Sequence, residues 1–316
     1  MSRRFPPMAL DGVRTYTLAD RASKVSTEDF AEPWSPGDGL SRFLERLPNI
    51  LAVRDLKAVI EAVARAAEAE RTVALGMGAH VIKVGLNPVL IDLMERGVLS
   101  ALALNGAGII HDFELAATGG TSEDVAATLG AGDFGMARET CGFLGAAIDR
   151  AARENLGLGE AVGRAILDAG LPHADRSLLA AGARLGIPIT VHVAVGTDII
   201  HMHPEFDPAA AGAASHRDFR TFAAVVASLE EGVYLNLGSA VVLPEVFLKA
   251  LTLARNLGHR VERFTTVNMD FIRHYRPMTN VVHRPTLQGG RGFNLVGHHE
   301  IMVPLLAAGI LERLAT

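Results

Sequence analysis

A single cysteine, Cys141, in 316 residues excludes a disulfide framework and any cysteine-built structural zinc centre, and it suits a reducing, cytoplasmic setting. Lysine is nearly as scarce, occurring only at Lys24, Lys57, Lys83 and Lys249. A basic surplus is missing too: 30 Lys and Arg against 35 Asp and Glu leave a net charge of −5. That balance argues against a dedicated nucleic-acid binder. No run is apolar and long enough to span a bilayer. The longest near a terminus, Ile301–Leu311, is short and contains Pro304. Arg3 and Arg4 are not followed by an apolar stretch, so no signal peptide is expected. A soluble cytoplasmic protein, with neither membrane nor nucleic acid as partner, is the expectation.

What the chain does have is 49% hydrophobic residues and 32 glycines, enough for one large α/β domain or two small ones. Residues 1–37 contain Pro6, Pro7, Pro33 and Pro36 and no sustained period, and read as an arm over the domain or a partner subunit. From residue 38 to 316 helical and strand-like segments alternate as one domain. Leu56, Val59, Ile60, Val63 and Ala67 recur at helical spacing, and further helices are expected at Pro88–Arg96, Glu139–Glu154, Gly159–Ala169, Asp175–Leu185, Asp218–Glu230 and Leu243–Leu257. Strands are expected at Thr72–Leu75, Val98–Leu104, Ile187–Val195, Val233–Leu237 and Arg263–Val267. This alternation implies a doubly wound, mostly parallel α/β sheet, with chemistry in the loops beyond the C-terminal strand ends.

Those loops hold the polar candidates. Gly76-Met77-Gly78 follows a strand but has Val81 at the third glycine position, so it makes only half a dinucleotide fingerprint; a tight turn explains it better than a phosphate cradle. Asn105-Gly106-Ala107-Gly108 also follows a strand and precedes a helix; it suits either a ligand against the backbone or close helix packing. Thr197-Asp198-Ile199-Ile200-His201-Met202-His203 puts two imidazoles and a carboxylate within reach of one divalent ion such as zinc, or of acid–base work, though such pairs are often plain surface residues. His111-Asp112 and His298-His299-Glu300 add further imidazoles to the same rim. Lys83 lies in the first rim loop, whereas Lys249 falls on the polar side of its helix. Arg273, His274, Arg276, Arg284 and Arg291 form a basic segment that reads as an anion clamp or as intersubunit pairing.

The segments Gly85–Asp92, Val98–Glu114, Thr121–Val125, Gly196–Asp198, Leu237–Leu251, Phe264–Asp270, Arg284–Phe293 and Gly297–Leu306 together resemble the deoxyhypusine synthase superfamily. The resemblance implies a Rossmann-like sheet and a homotetramer of tight dimers with active sites between subunits. Founding members of that family use NAD to oxidise spermidine, and pass an aminobutyl group through an enzyme lysine imine. By the same resemblance Asn105, Gly106, Ala107, Gly108, Asp198, Gly238, Ser239 and His298 fall at cofactor positions. The chemistry carries over poorly. The alignment sets Gly292-Phe293 against the family's Gly-Lys, and Phe293 has no amine. Acidic positions fall on Ile110, His111 and near His203, while Asp198 keeps its Thr-Asp context.

Three functions follow. The first is NAD-linked chemistry on an amine or polyamine, other than deoxyhypusine synthesis, with Asp198, His203, His111 and His299 as catalytic candidates. The second is a metal-dependent hydrolase or lyase built from His111, His201, His203 and His298 or His299. The third is a non-catalytic ligand-binding paralogue.

Overall fold

Strands form where apolar residues run unbroken between helices: β1 Val73–Met77, β2 Ala101–Asn105, β3 Ile189–His192, β4 Val233–Leu237, β5 Thr265–Asp270 and β6 Arg291–Val296. A computed structural model describes residues 5–315 of the chain. Every strand pairing is parallel, in the order β3-β2-β1-β4-β5-β6. The chain leaves β1 in one direction through β2 and β3, then returns to β4 beside β1 and proceeds the other way. This is a Rossmann-like doubly wound sheet, and its switch point lies between β1 and β4.

Alternation along each strand divides the core. Leu75, Leu102, Leu235, Val267 and Leu295 face the larger apolar cluster, with α1 Leu40–Arg46, α2 Leu51–Glu68, α3 Asn87–Glu95, α4 Gly106–Thr118 and α5 Arg138–Glu154. The same cluster takes in α6 Leu158–Asp168, α7 Leu178–Leu185 and the last helix, α10 His299–Leu314. Ala74, Ala101, Ala103 and Tyr234 face the opposite layer, α8 Pro208–Ala227 and α9 Val242–Asn256. Covering both faces is what makes unbroken apolar strands stable in water.

Four of the five expected strands fall within a few residues of their positions, and Val233–Leu237 falls on its own. β5 runs three residues further, to Asp270, so that carboxylate ends a strand instead of lying in a loop. β6 escapes the sequence because its first residues are Arg291 and Gly292, exposed on a sheet edge. Helix α8 starts ten residues before the apolar period announces it. The Asp207 carboxylate accepts from the N–H groups of Ala209 and Ala210, Pro208 sits in the first turn, and the alanines that follow carry no amphipathic signal.

The outer edge of β3 is closed by α8. The Ser215 hydroxyl accepts from Val193 N–H and donates to the Val191 carbonyl, and the Asp218 carboxylate accepts from Val191 N–H at 2.8 Å and Gly159 N–H at 3.0 Å. An edge so occupied offers no template for another strand. The arm, described from Phe5, contains only the 3-10 turns Leu18–Asp20 and Thr27–Asp29, and Trp34 packs edge-on against Phe43 of α1. Among the described residues no helix is long and apolar enough to cross a membrane.

Candidate functional site

The C-terminal rim is built by the connections that follow the strands, the long one being that from β3 to α8. After β1 the backbone runs through Gly78, where a Cβ would come within 2.5 Å of the Gly238 carbonyl after β4. The two strand ends at the switch point therefore touch through their main chains. Gly238 holds φ +61°, a conformation suited to glycine. A Cβ there would meet His299 Nε2 at 2.6 Å. Ser239 then accepts from Leu243 N–H through its hydroxyl, fixing the start of α9.

Asn105 ends β2 and precedes the first turn of α4, yet its side chain makes no cap and its Oδ1 is buried without a partner. Gly106 leaves the space that the Asp198 carboxylate fills, since any Cβ there would collide with Asp198 Oδ2. A carboxylate at a helix N-terminus is favoured by the unpaired N–H groups. Burial nevertheless pushes the Asp198 pKa up, with His201, the Thr197 hydroxyl and Ala107 N–H working against that rise. Its Oδ2 has no hydrogen-bond partner.

After β6, His298 and His299 part company. His298 is exposed and stacks on Phe271, with ring centroids 5.9 Å apart. His299 is 1% exposed, its Nε2 stands 3.9 Å from Asp270 Oδ1, and neither ring nitrogen has a hydrogen-bond partner. Burial lowers its pKa; the Asp270 carboxylate opposes this and His80 adds to it. At neutral pH His299 is therefore an uncharged imidazole with a free lone pair.

The remaining histidines are placed elsewhere. His201 Nδ1 accepts from the N–H groups of Gly196 and Asp198, so the ring braces its own loop, and it packs edge-on to Phe206. His203 Nδ1 lies 3.9 Å from Glu205. His111, in the second turn of α4, bonds Thr121 Oγ1 at 2.7 Å, and Thr121 in turn donates to Glu114. Burial lowers the His111 pKa. The expected metal site of His111, His201, His203 and His298 or His299 is not formed: among the described residues, no three His, Cys, Asp or Glu side chains are grouped to hold one metal ion. The reason is local. His201 is held by backbone N–H groups of its own loop, His111 by the Thr121 hydroxyl, His298 stacks on Phe271, and His299 is buried near Asp270.

Other expectations are also revised. Phe293 is the third residue of β6, paired with Val267 and packed in the core with Arg291 over its ring, so it stands mid-strand and away from the rim. The basic segment forms no single clamp, because Arg276 faces Glu245 and Arg284 donates to Asn280. Lys83 is exposed at the end of the one-turn helix His80–Lys83. Lys249 pairs with Glu245 on the exposed side of α9. Asp112 is fully buried, where it accepts from Ser177, Leu178 N–H, Leu179 N–H and Asn87 and anchors the start of α7.

Sequence reasoning missed an amide ladder. Asn236 on β4 donates to Asn268 on β5 at 2.8 Å and to the Ser239 carbonyl at 3.0 Å, and Asn268 donates to Asn294 on β6 at 2.8 Å. The three residues are in register across the strands. Each sits in the pattern apolar-Asn-apolar near a strand's end, and that recurrence is the signal that could have revealed them.

No protein-family model and no curated protein matches this sequence. Solved structures do match its fold. A candidate LOR/SDH protein from Methanococcus maripaludis S2 has 14% identity and a TM-score of 0.52, over 89% of this chain and 72% of its own. A candidate deoxyhypusine synthase from Entamoeba histolytica has 12% identity and a TM-score of 0.53, over 89% of this chain and 96% of its own. AgrE, crystallised with ornithine and NAD+, has 16% identity and a TM-score of 0.51, over 84% of this chain but only 34% of its own. At such identities the likeness is one of fold.

Proposed function

We propose that this protein is an NAD-linked enzyme acting on an amine-type small substrate at the rim formed by the ends of β1, β2, β4, β5 and β6. One observation carries the reading. Buried polar atoms are almost always paired, yet Asn105 Oδ1, Asp198 Oδ2, Asn236 Oδ1 and both nitrogens of His299 are not, and all lie at or near the C-terminal strand ends. Unpaired buried acceptors are costly unless a ligand's donors meet them. Ribose hydroxyls and an amine N–H are such donors. The fit to a dinucleotide rests on these acceptors; the glycines Gly78, Gly106 and Gly238 serve it by letting the strand ends, the Asp198 carboxylate and His299 pack close together at the rim. The fold neighbours that bind NAD or are named for amine chemistry support the same reading.

Bound NAD supplies an acceptor for the hydride that leaves the carbon beside the amine. Asn105 and Asp198 orient the ribose side. His299, held neutral by burial, takes the amine proton at a ring nitrogen, and Asp270 stabilises the imidazolium that results. Only Lys83 stands on the rim as a lysine, and it is exposed, so the proposed reaction ends at the oxidised amine, without transfer through an enzyme imine. Deoxyhypusine is therefore not the expected product.

Calorimetric titration with NAD tests the binding half of the proposal, with saturable binding expected at one site per chain. NADH absorbance with a panel of primary amines tests the rest; His299→Gln should abolish turnover while NAD still binds. Absence of NAD binding by the native protein would overturn the proposal.

A further inference from the structure

A cavity of about 350 Å³ lies at the opposite side of the molecule from the rim, where the chain enters β3. It opens between α6, α7 and α8. Its walls include Gly157, Gly159, Gly182 and Gly186, and apart from Asn155 its polar side chains come from α6 and α8. On α6, Glu160 and Arg164 pair with each other across one turn and so neutralise one another. On α8, Asp218 is 3% exposed, and its carboxylate is already engaged by the N–H groups of Gly159 and Val191. That leaves Arg217. Its side chain is half-buried, lines the cavity, and has no ion pair or hydrogen bond among the described residues.

The Arg217 nitrogens are accessible and unmatched by any acceptor, which leaves an uncompensated positive charge at the cavity. A small oxyanion restores the balance, since a guanidinium matches the two oxygens of a carboxylate or phosphate in one plane. We propose that this cavity is a second ligand site, taking a small metabolite through an oxyanion group held by Arg217, with the metabolite's body against the glycine-lined wall. The site is independent of the proposed NAD rim, since none of its lining residues belongs to that rim. It touches the start of β3, at the opposite end of that strand from the Asp198 loop.

The test is titration of the full chain with inorganic phosphate and, separately, with succinate, at constant ionic strength, followed by two-dimensional amide NMR. Saturable shifts confined to Gly157–Arg164, Gly182–Ile189 and Arg217–Thr221 are expected for at least one of the two anions. The two probes distinguish a phosphate-bearing ligand from a carboxylate-bearing one. Arg217→Gln should weaken that binding at least tenfold. Ala183→Leu, which keeps the charge but fills the cavity, should do the same, so loss of binding does not rest on one variant. Asp198→Asn should leave the affinity unchanged. Shifts that grow linearly without saturating, or that persist in both cavity variants, would overturn the proposal.

Discussion

His192 and Asp218 show how single buried groups can set the response of the whole fold to pH. Burial lowers the His192 pKa from 6.5 to about 4, so the unfolded chain binds a proton that the native state refuses. Its contribution to stability is present above pH 6.5 and is lost as pH falls towards 4. Burial raises the Asp218 pKa from 3.8 to about 7 despite its backbone donors, so here the native state holds the proton. That contribution is present below pH 3.8 and is lost as pH rises through 7. Between pH 4 and 6.5 the two slopes, each about 1.4 kcal/mol per pH unit, have opposite sign and cancel. Asp218→Asn should therefore uncover the histidine slope, seen as urea-unfolding stability that rises with pH across this window. His192→Gln should show the reverse. Identical profiles in both variants would mean that neither group titrates as its burial implies. Gly106→Ala is the matching prediction at the rim. The added methyl collides with the Asp198 carboxylate, so a loss of about 1–3 kcal/mol from overpacking should accompany NAD binding at least tenfold weaker than native.

At the scale of elements, the amide ladder ties three strand ends to the turn at Gly238-Ser239. Asn268→Ala removes the central member, leaving Asn236 and Asn294 each short of a partner. An unsatisfied buried amide costs about 1–3 kcal/mol. The expected result is a destabilisation of that size, with faster amide exchange at Ser239 and Leu243, where the ladder reaches the turn. Destabilisation with unchanged exchange there would separate the ladder from the turn. Of these elements, the sequence shows most helices and all but one strand, because continuous apolar runs and helical spacing are properties of neighbouring residues. It does not show the ladder, because three asparagines spaced 32 and 26 positions apart meet only through strand register. Nor does it show that Asp218 closes an edge strand, or that His201 turns its ring back onto its own loop.

For the whole molecule, the arm is the least self-sufficient part. Phe5, Met8, Leu10 and Tyr16 are 72–88% exposed, far more apolar surface than a solitary chain needs to leave in water. We expect the arm to be buried on another copy of the chain in a dimer or homotetramer. Sedimentation at micromolar concentration checks this, and replacing Phe5, Met8 and Leu10 together with serine should shift the protein towards monomer. A native monomer would defeat the expectation. The composition, the strand–helix alternation and the rim loops at Gly76, Asn105, Gly196 and Gly238 are fixed by the sequence alone, since each follows from local periodicity, turn chemistry and the absence of disulfide-forming cysteines. Which histidine is buried, which is exposed and which is consumed by its own loop was decided only by tertiary structure. Two adjacent residues, His298 and His299, have equal claims in sequence, but one step along the chain at the start of a helix turns one ring into solvent and the other beneath Gly238 against Asp270.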